Sequence, residues 1–229
     1  MQGQFQRNAG ATLLAFAALM AGVSTPVRAQ GISLPEKILF QSKHFGNIKK
    51  PMQIKYTYHE EEKGPDTLND HVSVDVIKRY ADGTASVAAH FLSGAQKISI
   101  APIDHAEGNP VILGFLERDI AEMKRLTGGA TGYFRKRIRL ALAAPDVSVK
   151  KINVRYAGKQ IEANEITIYP YRDDPLKDRL GQYVDKGYAF ITSDAVPGTL
   201  YRATTTLATE NGPRSVVTAM AIELADQPR

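Results

Sequence analysis

The residues best suited to metal chemistry in this chain of 229 residues are its five histidines. His59 precedes a run of glutamates, Asp70 lies beside His71, and residues 104–107 combine aspartate, histidine and glutamate. A zinc site needs three or four ligands that converge at fixed geometry. No two histidines have the i, i+4 spacing that places both on one helix face. The pattern favours histidines near strand ends beside an acidic loop, and we predict no metal site.

Nucleophilic and phosphate-binding motifs do not occur in the sequence. There is no Gly-x-Ser-x-Gly, and Ser93 and Ser193 fall in turns or at strand ends without a nearby histidine. The glycine-rich residues 127–132 lack the Lys-Ser/Thr ending of a phosphate loop, and they fit the end of one helix and the start of the next. We predict no catalytic residue and no cofactor. An enzyme whose site assembles from distant residues remains an alternative.

Two groups of arginines, lysines and tyrosines suit recognition of a partner. The first is the dense basic cluster that includes residues 135–137. It could contact an acidic partner or lipid headgroups, or it could form the solvated side of a helix. The second lies in the loop of residues 169–175, where Asp174 and Pro175 also fit the start of a helix. The candidate partner-binding residues are Arg135, Lys136, Arg137, Tyr169, Tyr171 and Arg172.

The N-terminus has the order of a secretory signal peptide. Arg7 supplies positive charge, residues 11–23 are apolar, Pro26 breaks any helix, and Ala29 ends a small-residue cleavage site. The apolar run is shorter than the ~20 residues needed to cross a bilayer, which disfavours a transmembrane anchor. We predict cleavage near Ala29, a periplasmic location, no stable membrane anchor, and a single domain over residues 30–229.

Composition limits the classes of function further. The absence of cysteine excludes disulfides, thiol nucleophiles and lipid attachment through an N-terminal cysteine. Without Arg7 and Arg28 the chain has 27 basic and 24 acidic residues, a net charge of +3. We predict no nucleic-acid partner. A weak preference for anionic surfaces and ordinary solubility both fit this charge.

Alternation of apolar and polar residues predicts strands in the first half of the domain. Met52, Ile54, Tyr56 and Tyr58 alternate with polar residues, which gives one apolar face. The same period occurs at residues 71–80, 84–92 and 96–100, and residues 60–69 are interpreted as a loop. Asp82-Gly83 predicts a hairpin with a type I′ turn. Residues 37–41 are interpreted as a short strand.

Helices and further strands are predicted in the second half. Asn109 and Pro110 begin a helix over residues 110–126, and Thr131 caps a second helix that runs to about Ala143. Each has one apolar face. Further predicted elements are strands at 149–156, 160–169, 188–192, 199–207 and 214–224, a bulge between Ile161 and Ile166, a short helix at 175–184, and turns at Pro197-Gly198 and Asn211-Gly212.

Short turns between strands predict antiparallel pairing, and the helices are inserted between runs of strands. The predicted fold is therefore α+β: a curved, mainly antiparallel β-sheet, an open or half barrel, with a helical hairpin and a short third helix packed on its concave side. A ligand held between the sheet and the helix of residues 110–126 would contact Ile112, Phe115, Leu116, Tyr56, Tyr58 and Phe91.

This architecture resembles that of periplasmic lipoprotein-carrier half-barrels over residues 45–224. In those proteins a curved sheet covered by helices holds acyl chains, so the resemblance implies a lipid-like ligand. The segment Gly108–Leu142, GNPVILGFLERDIAEMKRLTGGATGYFRKRIRLAL, is similar to part of an uncharacterised family of exported proteobacterial proteins. That likeness implies a compartment without an activity. Unlike the carriers, this chain has few aromatic residues for a large cavity, since it lacks Trp.

Two functional expectations follow from these observations. The first is a non-enzymatic periplasmic binding or carrier protein for an apolar or lipid-like ligand. The alternative is an envelope assembly or structural factor that binds another envelope protein. It would do so through the helix that carries Arg135, Lys136 and Arg137 or through the loop of residues 169–174.

Overall fold

The computed structural model describes residues 31–61, 67–210 and 212–224. Within these residues it confirms the predicted α+β class, with ten strands in one antiparallel sheet that does not close. The predicted signal peptide and cleavage position lie outside the described residues. The strands are β1 Met52–Glu61, β2 Thr67–Arg79, β3 Ala85–Phe91, β4 Ile98–Ser99, β5 Ile103–Ala106, β6 Val149–Tyr156, β7 Lys159–Ile168, β8 Gly187–Thr192, β9 Leu200–Leu207 and β10 Ser215–Ile222.

The order of neighbouring strands is β4-β3-β2-β1-β10-β9-β8-β7-β6, and β5 also pairs with β3. Tyr56 and Tyr58 of β1 point to the buried face, opposite Ile222 and Met220 of β10. This burial confirms the period-two interpretation of the strand. β2 begins at Thr67, three residues before the predicted loop was expected to give way to a strand, and β5 was not predicted.

The predicted β2–β3 hairpin forms, but its turn is not type I′. The backbone N–H of Tyr80 donates to the carbonyl of Thr84 at 2.9 Å, which encloses a loop of three residues. Gly83 has φ of 86°, whereas Asp82 has no positive φ. A three-residue loop needs one left-handed residue before the strand resumes, and glycine adopts that conformation at little cost.

The helical hairpin consists of α2 and α3, which follow the short α1 (Leu34–Glu36). α2 spans Pro110–Thr127, and the side chain of Asn109 accepts from the backbone N–H of Val111 at 3.3 Å, as predicted. α3 spans Thr131–Ala143. Its cap position is Ala130, without a side-chain bond, so the prediction that Thr131 caps α3 is wrong. Thr131 already lies inside the first turn.

The sheet curves around α2. Phe115 of α2 places its ring centroid 6.2 Å from that of Phe190 on β8. The preceding residue, Gly114, lies so close to β3 that an added Cβ would be 2.5 Å from Cδ2 of Phe91. β3 and β8 are five steps apart in the strand order, which is roughly 24 Å in a flat sheet at about 4.8 Å a step. Adjacent residues of one helix reach both strands because the sheet bends.

Two local predictions in the segments outside the sheet and the helical hairpin are wrong. Residues 37–41 form a π-helical turn that continues α1. The Ser33 hydroxyl accepts from the Glu36 N–H at 3.2 Å and the Glu36 carboxylate accepts from the Ser33 N–H at 3.0 Å, which favours a helix start. Residues 175–184 form two short 3₁₀ turns, Lys177–Arg179 and Gly181–Tyr183.

The predicted bulge between Ile161 and Ile166 is absent from the continuous β6–β7 register. The apolar residues change face because Ile161 and Ile166 are five residues apart in an unbroken strand and therefore point to opposite sides. Ala157 N–H donates to the carbonyl of Leu224 at 3.1 Å, and the Tyr201 hydroxyl donates to the carbonyl of Arg155 at 2.9 Å. Ile161 is therefore partly buried from the other face of β7.

Candidate functional site

A groove at the end of α3 brings together three of the six predicted partner-binding residues. Its walls are the C-terminal half of α3, residues 146–148 ahead of β6, and the end of β7 with the loop that follows. Arg137, Tyr169 and Arg172 line it together with the apolar Leu140 and Val147. Its volume is about 390 Å³. We call this feature the α3–β7 groove.

Arg137 reaches the groove because α3 buries its other side. Phe134 and Ile138 pack in the core. The Arg137 Nε donates to the carbonyl of Pro170 at 3.2 Å and lies 2.8 Å from Oδ2 of Asp174. Since the Asp174 side chain is fully buried, water screens this ion pair weakly. The pair ties α3 to the loop after β7.

The Asp174 carboxylate holds the loop after β7 in place. Its Oδ1 accepts from the backbone N–H of Leu176 at 2.7 Å and from the hydroxyl of Tyr133. Burial, the hydrogen bond to Asp174 and the charge of Asp174 raise the pKa of Tyr133 to about 12. Tyr133 therefore remains a neutral donor, and the carboxylate keeps the groove wall in one arrangement.

Tyr169 and Arg172 form the outer wall of the groove. The Arg172 guanidinium lies 4.0 Å from the centroid of the Tyr169 ring, and Arg214 lies 5.0 Å from the same centroid. The Arg172 Nε also donates to Oδ1 of Asp185 at 2.9 Å. A cation on an aromatic face contributes about 0.5–1 kcal/mol at exposed sites. These contacts hold the aromatic ring and the guanidinium before any partner binds.

The other three predicted partner-binding residues lie elsewhere. Arg135 is exposed and makes a bidentate pair with Glu117 of α2, with its Nε donating at 2.7 Å. Lys136 is exposed and does not line the groove. Tyr171 is fully buried, and its hydroxyl lies 2.9 Å from that of Tyr188. The loop therefore contributes Tyr169 and Arg172 to its surface and Tyr171 to the core.

The six residues predicted to hold an apolar ligand all lie in the core between α2 and the sheet. Each is at most 5% exposed, and the rings of Tyr58 and Phe91 pack edge to face with centroids 5.8 Å apart. In this arrangement the six residues contact one another and neighbouring core residues. The six are Ile112, Phe115, Leu116, Tyr56, Tyr58 and Phe91. An acyl chain could enter this layer only if α2 moved away from the sheet.

A buried polar network under α2 was missed by the sequence analysis. Asp119 accepts from the ammonium of Lys186 and, at 2.5 Å, from the hydroxyl of Tyr188. Burial and the charge of Asp119 raise the pKa of the Tyr171 and Tyr188 hydroxyls far above the usual range. Asp119 occurs within the apolar stripe of α2, four residues after Phe115. A charge in that position was the available signal.

A second polar contact fastens α2 to β1. The Arg118 Nε donates to Oε2 of the buried Glu60 at 3.1 Å, and Tyr58 donates to the same oxygen at 2.9 Å. Glu60, Asp119 and Lys186 also border a pocket of about 280 Å³. Because each of these charged groups has an opposite partner within the protein, the arrangement suits fixing α2 rather than proton transfer.

The sheet face opposite α2 carries a larger pocket of about 560 Å³. His59, His71 and Arg202 surround its floor, which is formed by small side chains of β10. Nδ1 of His71 lies 4.0 Å from Oε1 of Glu223, so acidic and basic groups both occur there. This mixed lining does not specify a class of ligand.

The described residues contain no group of three His, Asp or Glu side chains placed to hold a metal. The Ser193 hydroxyl donates to the carbonyl of Glu162 at 2.6 Å and accepts from Ala195, which is a turn contact. Burial lowers the pKa of His44, whose ring accepts from the Asn109 N–H at 2.9 Å. His44 therefore links the N-terminal segment to α2.

Comparison of the sequence with known protein-family models and with curated proteins gave no match. Among the helices of the described residues, none has the length and hydrophobicity of a membrane-spanning segment. The site is therefore interpreted from its own geometry.

Proposed function

We propose that this chain is a non-enzymatic periplasmic binding protein that contacts another envelope protein through the α3–β7 groove. The observation that carries the proposal is the convergence of Arg137, Tyr169 and Arg172 on one groove. Arginine and tyrosine dominate the binding energy of many protein interfaces, because they bury a large surface and retain polar contacts. The apolar run of residues 11–23 supports export to the periplasm.

The fixed geometry of the groove also supports a binding role. Arg137 is held by Asp174, and Arg172 is held by Asp185 and the ring of Tyr169. Side chains that are already ordered lose less conformational entropy when a partner binds. The remaining apolar lining, including Leu140, which is 46% exposed, provides surface that a partner can cover.

Crosslinking from the groove in envelope extracts tests the proposal. A partner recovered with the unchanged protein is expected to be lost with Tyr169→Ala and with Arg172→Glu, each by about 2 kcal/mol or roughly thirtyfold in Kd. The matched control is Arg79→Glu, which reverses an exposed charge on β2 at the other end of the sheet. Equal recovery with all three variants contradicts the proposal.

A second candidate is a carrier of an apolar or lipid-like ligand. The observation in its favour is the continuous apolar layer between α2 and the open, curved sheet. In this proposal α2 moves to admit the ligand, and the contacts of Arg118 and Asp119 keep it closed otherwise. Native mass spectrometry and lipid extraction of the purified protein test it. A protein that remains free of ligand after incubation with phospholipid vesicles contradicts it.

A further inference from the structure

The sheet ends at β6, so among the described strands β6 has a neighbour on one side only. β6 joins β7 through Ala157 and Gly158, which have φ of 49° and 76°. Positive φ at both central residues defines a type I′ turn. The pair that flanks such a turn, here Tyr156 and Lys159, exchanges both backbone hydrogen bonds. The turn therefore fixes the direction of every backbone group in β6.

The backbone groups of alternate residues point to the free side of β6. Hydrogen-bonded and non-hydrogen-bonded pairs alternate along an antiparallel ladder, so the even-numbered residues of β6 bond to β7. The outward carbonyl of Arg155 accepts from Tyr201 at 2.9 Å. No hydrogen bond within the described part of the chain uses the outward backbone groups of Val149, Lys151 and Asn153. These residues form an edge that can accept one more strand.

The segment of the chain that contains this free edge is rich in basic residues. Residues 135–159, which run from α3 through β6 to its turn, contain eight of the 29 basic residues and one of the 24 acidic residues. This segment has a formal charge of +7, whereas the rest of the chain has 21 basic and 23 acidic residues, a charge of −2. Such a concentration of one sign favours association with a segment of opposite charge.

We propose that the free edge of β6 binds an extended acidic segment of a partner protein as an added β-strand. This inference rests on the proposed function, because Ser148 lines the α3–β7 groove and directly precedes β6, so one partner chain reaches both. The backbone of Val149, Lys151 and Asn153 pairs with the segment, and the groove takes the residues that flank it. Main-chain hydrogen bonds supply affinity in this mode, and side chains supply specificity.

A second copy of this chain is a less favourable occupant of the edge. If two β6 strands paired antiparallel about Asn153, Lys151 of each copy would lie opposite Arg155 of the other. Like charges directly opposite one another destabilise a strand pair. Lysine at an exposed edge therefore disfavours self-pairing and leaves the edge available to a negatively charged segment.

Fluorescence anisotropy with labelled peptides tests the proposal on the purified protein. The probe is a short peptide in which Glu alternates with Val, and its control has Lys in place of Glu. We expect the acidic peptide to bind at low salt and the basic peptide not to bind. Asn153→Pro removes one outward N–H without affecting the β6–β7 ladder, so it should weaken binding about tenfold. Asn153→Ala retains the N–H and should leave binding unchanged.

Lys151→Glu is a second variant that leaves the backbone intact. Its ion pair with Glu162 is solvent-exposed, so the substitution changes folding stability little. We expect it to weaken binding of the acidic peptide and to allow binding of the basic one. Equal binding of the acidic peptide to the unchanged protein, Asn153→Pro and Lys151→Glu would overturn the proposal. Binding to phosphatidylglycerol vesicles without binding to the peptide, or a dimer that Asn153→Pro dissociates, would also overturn it.

The proposed function and the strand addition fail in different ways. If Arg172→Glu abolishes recovery of the partner while Asn153→Pro does not, strand addition is wrong and the groove remains the binding site. If neither substitution affects recovery, both proposals are wrong. If both abolish it, and Asn153→Ala does not, the partner occupies the groove and the edge together.

Discussion

Replacement of Lys186 by methionine provides a direct measure of how strongly α2 is fastened to the sheet. The Lys186 and Asp119 side chains are 3% and 4% exposed, respectively. Methionine retains most of the length of lysine but removes the ammonium, so the Asp119 carboxylate stays buried with the hydroxyl of Tyr188 as its remaining partner. Loss of one member of a buried ion pair costs about 3–5 kcal/mol. Because Tyr188 still donates, we expect a value of ~3 kcal/mol.

Urea unfolding followed by far-ultraviolet circular dichroism measures this loss. For a domain of this size, 1 kcal/mol corresponds to a change in Tm of roughly 2–4 °C, so ~3 kcal/mol corresponds to about 6–12 °C. Arg125→Met is the matched control on the same helix. Arg125 pairs with Glu122 at 2.5 Å, but its side chain is 62% exposed, so the expected loss is below about 1 kcal/mol.

The double variant Asp119→Leu with Lys186→Met separates charge burial from loss of packing. Removal of both charges eliminates the unpaired carboxylate, so most of the lost stability should return. Tyr188 keeps the hydroxyl of Tyr171 at 2.9 Å as a hydrogen-bond partner. If Lys186→Met destabilises the protein no more than Arg125→Met, the reasoning from burial is refuted.

Three further predictions concern packing and ionisation. Gly114→Ala should destabilise the protein by about 1–3 kcal/mol in urea, because the new Cβ overlaps Phe91, whereas Gly132→Ala, with nothing within 4 Å, should not destabilise it. Because burial lowers the pKa of His44 from 6.5, the unfolded chain binds a proton that the folded chain does not. Stability should therefore be complete above about pH 6.5 and fall by at most about 1.4 kcal/mol per pH unit below it, and unfolding of His44→Gln should lack this pH dependence. Spectrophotometric titration should place the ionisation of Tyr133 near pH 12, and a value near 10 would contradict its bond to a buried carboxylate.

The sequence predicted those elements whose patterns are long and local. The alternation in β1 and the Asn109 cap of α2 depend on neighbouring residues, and both agree with the structure. The short apolar run at residues 37–41 has no clear period, so its pattern did not distinguish the predicted strand from the π-helical turn that forms there. Its helix start at Ser33 depends on two reciprocal side-chain bonds.

The candidate site was only partly accessible from the sequence. The residue types of Arg137, Tyr169 and Arg172 suggested recognition, but their convergence depends on tertiary contacts through Asp174. The burial of Tyr171 follows from the packing of the loop against the core, which no local pattern reveals. The Asp119–Lys186 pair joins residues far apart in the chain, so only the position of Asp119 in an apolar stripe could have indicated it.

The central ladder of the sheet has a consequence for folding. It pairs β1 with β10, so Tyr56 meets Ile222, whereas β1 to β3 on one side and β6 to β9 on the other each pair with the strand that follows in the sequence. Contacts between residues distant in sequence form slowly because a long loop must close first. During synthesis, β1 to β3 can pair early and β6 to β9 can pair next. These two groups of strands cannot join until β10 has been synthesised. Until then the edges of β1 and β9 that face β10 in the folded sheet remain unpaired.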